Sequence, residues 1–363
     1  MMNHVSRIRA LRKQMSQSKM DAVLITHLPD VRYLCGFTGS NASLAVTAKS
    51  AAMFTDGRYT TQAKEETQGA RVVIAKKSAL REACAWLEEA GVASVFFDPE
   101  QTTVSVLDLM RGAVSRAKRR WFFHPLQKPI VLDLRMVKDA DELLQMEKAA
   151  LMGCNLFTAV LPHIQAGVAE SEIAADLEFF ARSLGAEGMS FETIVASGKR
   201  SALPHGRATS AKVPRNGFVT LDFGVILNGY CSDMTRTVFV GKPGRQELFA
   251  YDAVLEAQEA AVAAVRPGAT CGEVDEAARS VLRRAGLAKY FTHSTGHGVG
   301  IEIHESPRVA AEQSQILASG MVITIEPGIY IEGKFGIRIE DMVAVTKSGG
   351  KILTPAPKAM IQL

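Results

Sequence analysis

The sequence predicts an α+β chain of two domains: a smaller α/β domain, then a larger one built on an internal repeat. Three observations predict this. The length, 363 residues, is roughly twice that of a typical domain. Short β-rich runs alternate with helical stretches as far as Phe97, whereas beyond Asp139 long helices are separated by pairs of strands. Within that second part, Gly167-x4-Glu172-Ile173-x11-Gly185 recurs 101 residues later as Gly268-x4-Glu273-Val274-x11-Gly286. Downstream, Thr220-Leu221-Asp222-x-Gly224 recurs 104 residues later as Thr324-Ile325-Glu326-x-Gly328. The shared order, helix then acid-bearing strand, points to a duplicated unit in which each copy delivers a carboxylate to a common seam.

The elements follow from pattern. Val5, Ile8, Leu11 and Met15 recur at helical spacing and predict a first surface helix. Residues 22–26, 44–47, 51–55, 71–75 and 94–97 read as strands, and 60–67 and 80–90 as helices. The stretch RAKRRWFFHPLQKPI (116–130) is basic and aromatic, and its two prolines predict a linker. Its cluster Arg116, Lys118, Arg119 and Arg120 reads as a solvated face. The expected domains are therefore residues 1–130 and 131–363, with helices over 140–164, 171–184, 246–265 and 272–285 in the second.

Composition narrows the function. The formal charge is +4, from 42 basic against 38 acidic residues of mixed order; that is a weak basis for binding nucleic acid. No apolar run approaches the ~18 residues that span a bilayer, and the basic amino-terminal stretch lacks the apolar core of a secretory signal. The five cysteines are an odd, scattered set without CxxC spacing, which leads us to expect reduced thiols and a cytoplasmic protein.

The chemistry concentrates in the second domain. Asn228-Gly229 is a two-residue hairpin signal between the strands 219–225 and 230–238. It pairs Leu227 with Tyr230, and so Asp222 with Thr235 and Gly224 with Asp233. Thr220, Asp222, Asp233, Thr235 and Thr237 then share one face, with Asp222 and Asp233 as diagonal neighbours. Two like charges on a buried face need a counter-charge, for which a divalent cation is the simplest; on a solvated face they need none. A second constellation, His293-Ser-Thr-Gly-His297-Gly-Val-Gly-Ile-Glu-Ile-His304, places three of the chain's 8 histidines within 12 residues. Its glycines argue against a zinc-binding helix and for a loop or short strand presenting imidazoles. A third is Thr324-Ile-Glu326-Pro-Gly-Ile-Tyr330 followed by Gly336-Ile-Arg338-Ile-Glu340-Asp341, with Arg338 and Glu340 alternating with isoleucine. His205 lies in a loop 99 residues before His304, near the repeat offset, so the two are expected to face one another. Four carboxylates and an imidazole suit a pair of hard or borderline ions that activate water.

The order Asp222, Asp233, His297, Glu326, Glu340 resembles the pita-bread (M24) metallopeptidases, the family of methionine aminopeptidase, Xaa-Pro aminopeptidase and prolidase. The segments LDFGVILNGYCSDMTRTVFVG, HSTGHGVGIEIHE, TIEPGIY and IRIED carry the resemblance over residues 130–363. The runs from Asp30 to Asn41 and Thr55 to Tyr59 resemble the creatinase-type domain of the proline-directed branch. The resemblance implies a pita-bread catalytic domain with a pseudo-twofold repeat, preceded by a creatinase-type α/β domain. It implies that Asp222, Asp233, His297, Glu326 and Glu340 bind two divalent ions, commonly manganese, with cobalt, zinc or iron as alternatives. Glu326 would also be the general base, His205 and His304 would stabilise the scissile carbonyl and oxyanion, and His293 would line the substrate site. Arg338 would orient ligands or join a relay with Asp30, and Cys231 would simply pack. The expected activity is release of the residue before proline by a homodimeric Xaa-Pro aminopeptidase acting on peptides with proline second, and on neither nucleic acid nor membrane. The alternatives are an Xaa-Pro dipeptidase, a metal-free creatinase-like hydrolase, or a catalytically silent binding protein.

Overall fold

The computed structural model describes residues 3–363, which divide into two compact units between Arg135 and Met136.

The amino-terminal unit is built on one mixed sheet. Its strands are β1 (Ala22–Ile25), β2 (Ser43–Thr47), β3 (Ala51–Asp56), β4 (Arg71–Ala75), β5 (Val95–Phe97) and β6 (Phe123–Pro125), in the order β4-β3-β2-β1-β5-β6. β1, β2 and β3 pair antiparallel as a meander, while β4, β5 and β6 join parallel through helical crossovers. The central strands are buried along their whole length, which explains why they read as continuous apolar runs. The first helix, His4–Gln17, buries Ile8, Leu11 and Met15, while Val5 is exposed. A helix at Leu28–Cys35 went unforeseen, although its signals were present: Pro29 in the first turn and Gly36, at φ +86°, just past the end.

The linker expected over 116–130 is only half a linker. Residues Phe123–Pro125 form the edge strand β6, and Phe122 and Phe123 lie in the core with Leu24, Phe54 and Leu87. Proline was the misleading signal, since an edge strand tolerates it where an inner one would not.

In the second unit the four expected helices form at Ala140–Val160, Glu170–Ser183, Arg245–Ala264 and Cys271–Arg284. The repeat is structural. Gly167 and Gly268, at φ +90° and +87°, precede equivalent helices, and Gly185 and Gly286, at +92° and +71°, follow them. In the first copy strand Gly217–Phe223 lies between Met234–Val240 and Ile194–Ser197; in the second, Val322–Ile325 lies between Asp341–Thr346 and Gly296–Gly298. Val219, Leu221, Phe223 and Val225 face one core with Leu156, Phe157 and Leu177, and Phe218, Phe239, Tyr251 and Phe335 belong to the other. The strand faces opposite Val219 and Leu221 are left for polar side chains.

Candidate active site

The site begins with the hairpin, whose register is the one the turn dictates. Asn228 and Gly229, at φ +49° and +80°, make the turn; Leu227 pairs with Tyr230 and Asp222 with Thr235. Gly224 is required by close approach, since a Cβ there would stand 1.7 Å from the Ser232 carbonyl oxygen. Asp222, Asp233 and Thr235 are 8%, 4% and 0% exposed. The polar face of the hairpin is therefore buried, and the solvated-face reading of these two acids fails.

The second copy supplies the other carboxylates. Ile325 pairs with Asp341 at the end of its ladder, so Glu326 and Glu340 stand one step beyond, on the two departing chains. His297 sits on the short strand Gly296–Gly298. Side-chain atoms of Asp233, His297 and Glu340 lie within 4.8 Å of one another. His297 Nε2 is also 3.6 Å from both Asp233 Oδ2 and Glu326 Oε1. Its Nδ1 is 2.9 Å from the Gly298 carbonyl oxygen, which can only accept, so Nδ1 carries the proton and Nε2 presents a bare lone pair. Burial pushes the His297 pKa down to about 4, keeping the ring neutral.

Such an arrangement repels itself. Burial raises the pKa of Asp233 and Glu340 well above the carboxylate range, and Asp222 and Glu326 raise both further. Glu326 is pushed up to about 8, by burial foremost. Asp222 Oδ1 and Asp233 Oδ1 are buried without a hydrogen-bond partner. Orphaned carboxylate oxygens around an imidazole lone pair are what a divalent cation satisfies, and an oxygen-rich set with one nitrogen fits a hard or borderline ion.

Around this group runs a fixed scaffold. Arg338 donates through Nη2 to Asp222 Oδ2, through Nε to Thr235 Oγ1 at 3.1 Å, and through Nη1 to the Tyr330 hydroxyl at 2.7 Å. Thr235 in turn donates to Glu340 Oε2 at 2.7 Å. His293 Nε2 is 2.9 Å from the Tyr330 hydroxyl, and its Nδ1 is 2.8 Å from the Ser294 carbonyl oxygen. Directions follow: Arg338 donates to Tyr330, Tyr330 to His293, and His293 to the backbone. In the sequence Tyr330 only closes the motif TIEPGIY; no spacing rule reveals a hydroxyl that joins an arginine to a histidine. His304 packs edge-on against His297, ring centroids 4.4 Å apart. Burial lowers the pKa of His304 and of His293.

Asp30 accepts a hydrogen bond from Arg135 Nη1 at 2.7 Å inside the amino-terminal unit, and its other oxygen lies 3.2 Å from His27 Nδ1. Arg338 is partnered by Asp222 within the second unit. Cys231 does pack: its buried thiol is pushed up to about 12 by burial, and Sγ reaches the Ile301 carbonyl at 3.5 Å.

A family profile described as Metallopeptidase family M24 matches residues 144–347, and one described as Creatinase/Prolidase N-terminal domain matches 7–137. The Xaa-Pro dipeptidase of Pyrococcus horikoshii is 36% identical over 350 residues, 96% of this chain and 96% of that one. Among solved structures, an Xaa-Pro dipeptidase from Bacillus anthracis is similar with a TM-score of 0.95 and 38% identity, over 99% of this chain and 100% of that chain. An X-Pro aminopeptidase from Thermotoga maritima is similar with a TM-score of 0.89 and 36% identity, over 96% and 100%.

Proposed function

We propose that this chain, which belongs to metallopeptidase family M24, is a metal-dependent Xaa-Pro dipeptidase. The observation that carries the reading is similarity over nearly the whole chain to dipeptidases of that specificity. The Xaa-Pro aminopeptidase expected from the sequence is the second reading, favoured by the similarity to the Thermotoga maritima enzyme. The complete set of acids argues against a silent relative or a metal-free hydrolase.

Asp222, Asp233, His297, Glu326 and Glu340 would hold two divalent ions, with manganese our proposal for their identity. When bound, such ions lower the pKa of a water and polarise the carbonyl it attacks. The protein's own groups supply the rest. Glu326 would be the general base, taking the proton of the attacking water and returning it to the departing proline nitrogen. His304 and His205 would donate to the carbonyl oxygen as negative charge develops there. Arg338 fixes Asp222, and Thr235 fixes Glu340, so the acids keep their places when charge changes. His293 is held by Tyr330 and a carbonyl at its two nitrogens and lines the pocket without exchanging a proton.

The test separates the two proline-directed activities. A dipeptidase reads the proline carboxylate, so Xaa-Pro dipeptides should be hydrolysed with higher kcat/KM than Xaa-Pro-Xaa tripeptides or Xaa-Pro amides. Faster cleavage of the tripeptides, insensitive to amidation, would establish the aminopeptidase instead.

A further inference from the structure

Beside the proposed site lies a buried ion pair that the reaction described above does not use. Lys138 Nζ is 3.2 Å from Glu305 Oε2, and both side chains are 1% exposed. Glu305 directly follows His304 and opens the strand Glu305–Val309. Its other oxygen, Oε1, accepts the backbone N–H of Glu302 at 3.1 Å. The Gly300 N–H meets the Glu302 carbonyl at 3.0 Å, and the Gly300 carbonyl takes the Cys231 N–H at 2.8 Å. The loop is wrapped so closely that a Cβ on Gly300 would stand 2.5 Å from Glu305 Oε2. Lys138 is anchored from its own side, its N–H bonded to the Gly320 carbonyl at 2.9 Å just before the helix Ala140–Val160.

We infer that Glu305 is a positioning residue: its carboxylate clamps the 299–304 loop and thereby sets the His304 ring over the reacting carbonyl, with Lys138 as the buried counter-charge that makes the clamp tenable. The physical case rests on what a buried ion pair is good for. Desolvation consumes most of its Coulombic gain, so a well-packed apolar pair would stabilise the fold as well or better. An apolar pair would not offer an acceptor to the Glu302 N–H. That acceptor ties the loop on one side of His304 to the residue on its other side, leaving the imidazole little freedom. The inference rests on the role given to His304 under the proposed dipeptidase reading.

The test compares two folded, charge-free replacements in the full-length, metal-loaded protein. Lys138→Met with Glu305→Gln keeps an acceptor for Glu302; Lys138→Met with Glu305→Leu does not. The leucine pair should lose roughly 10–100-fold in kcat, the range typical of lost supporting contacts, with KM and metal content near wild type. Amide hydrogen exchange over 299–304 should accelerate in that variant alone, and the glutamine pair should recover most of both properties. Wild-type kcat and exchange in the leucine pair would overturn the inference, as would equal loss in both pairs with the loop still protected. Should the leucine pair not fold, Lys138→Met with Glu305→Gln decides by itself: it must keep both loop protection and kcat. A wild-type protein that leaves Xaa-Pro dipeptides intact would count against the dipeptidase reading, while the exchange measurement would still judge the clamp.

Discussion

The two copies of the repeat share a frame and differ in what they hang on it. Both helices lie between left-handed glycines, and in both a buried carboxylate on the helix organises a histidine-bearing loop. In the first copy Glu170 takes the Ser197 and Thr209 N–H groups and Arg200, on either side of His205. In the second Asp275 takes the Thr295 N–H and hydroxyl, and Arg279 carries the contact on to the His293 carbonyl. The acids are presented differently. The first copy uses one tight hairpin, with short aspartates on its face. The second inserts a small sheet, Gly328–Ile331 with Phe335–Arg338, between Glu326 and Glu340, and uses longer glutamates from beyond the end of the ladder. Duplication supplied equal scaffolds; side-chain length and connection were then adjusted so that both halves reach one centre.

The sharpest way to break the comparison is to remove an acid from the hairpin of the first copy. Asp233→Asn should abolish metal retention and lower activity more than about 100-fold together, read by elemental analysis and peptide hydrolysis on one preparation. Full turnover in a verified metal-free sample would refute the assignment. Next in size, His304→Ala from the second copy and His205→Ala from the first should each reduce kcat by about 100-fold, with metal content unchanged. Loss of metal in either would make it a ligand and not a donor.

A pH series sharpens the comparison at the level of stability. In the metal-free chain Glu326, Asp233 and Glu340 have raised pKa values. The folded state then binds more protons than the unfolded one, so their contribution favours folding at low pH and is lost as pH rises through about 8. The Tm of metal-free protein should fall between about pH 5 and about pH 8, and added manganese should restore more at the upper end. Asp233→Asn should flatten the slope. The smallest expected effect concerns the helix starts. Thr270 and Glu273 form a capping box, whereas the helix of the first copy begins at Ala169 without a side-chain cap. Thr270→Ala should therefore cost about 1 kcal/mol in denaturant unfolding and leave kcat unchanged.

Much of this is legible in the amino-acid sequence. Asn228-Gly229 dictated the register that puts Asp222 across from Thr235, because a two-residue turn leaves no slack. The glycines at 167, 185, 268 and 286 marked both helices, because left-handed positions are costly for other residues. The run Phe123–Pro125 misled, since proline breaks an inner strand but not an edge one.

The sequence by itself determined the local geometry and the chemical inventory: two helix–strand units, a hairpin with its acids on one face, a glycine-rich histidine segment, and five free thiols. These depend on neighbours in the chain, whose spacing is covalently set. Only the tertiary structure decided which polar groups are buried and who answers for them. Asp30 went to Arg135, Tyr330 became the link between Arg338 and His293, and Lys138 met Glu305 across 167 residues. Such partnerships are formed by packing, where a charge withdrawn from water must find whatever counter-charge the fold brings within reach, and no periodicity along the chain records the choice.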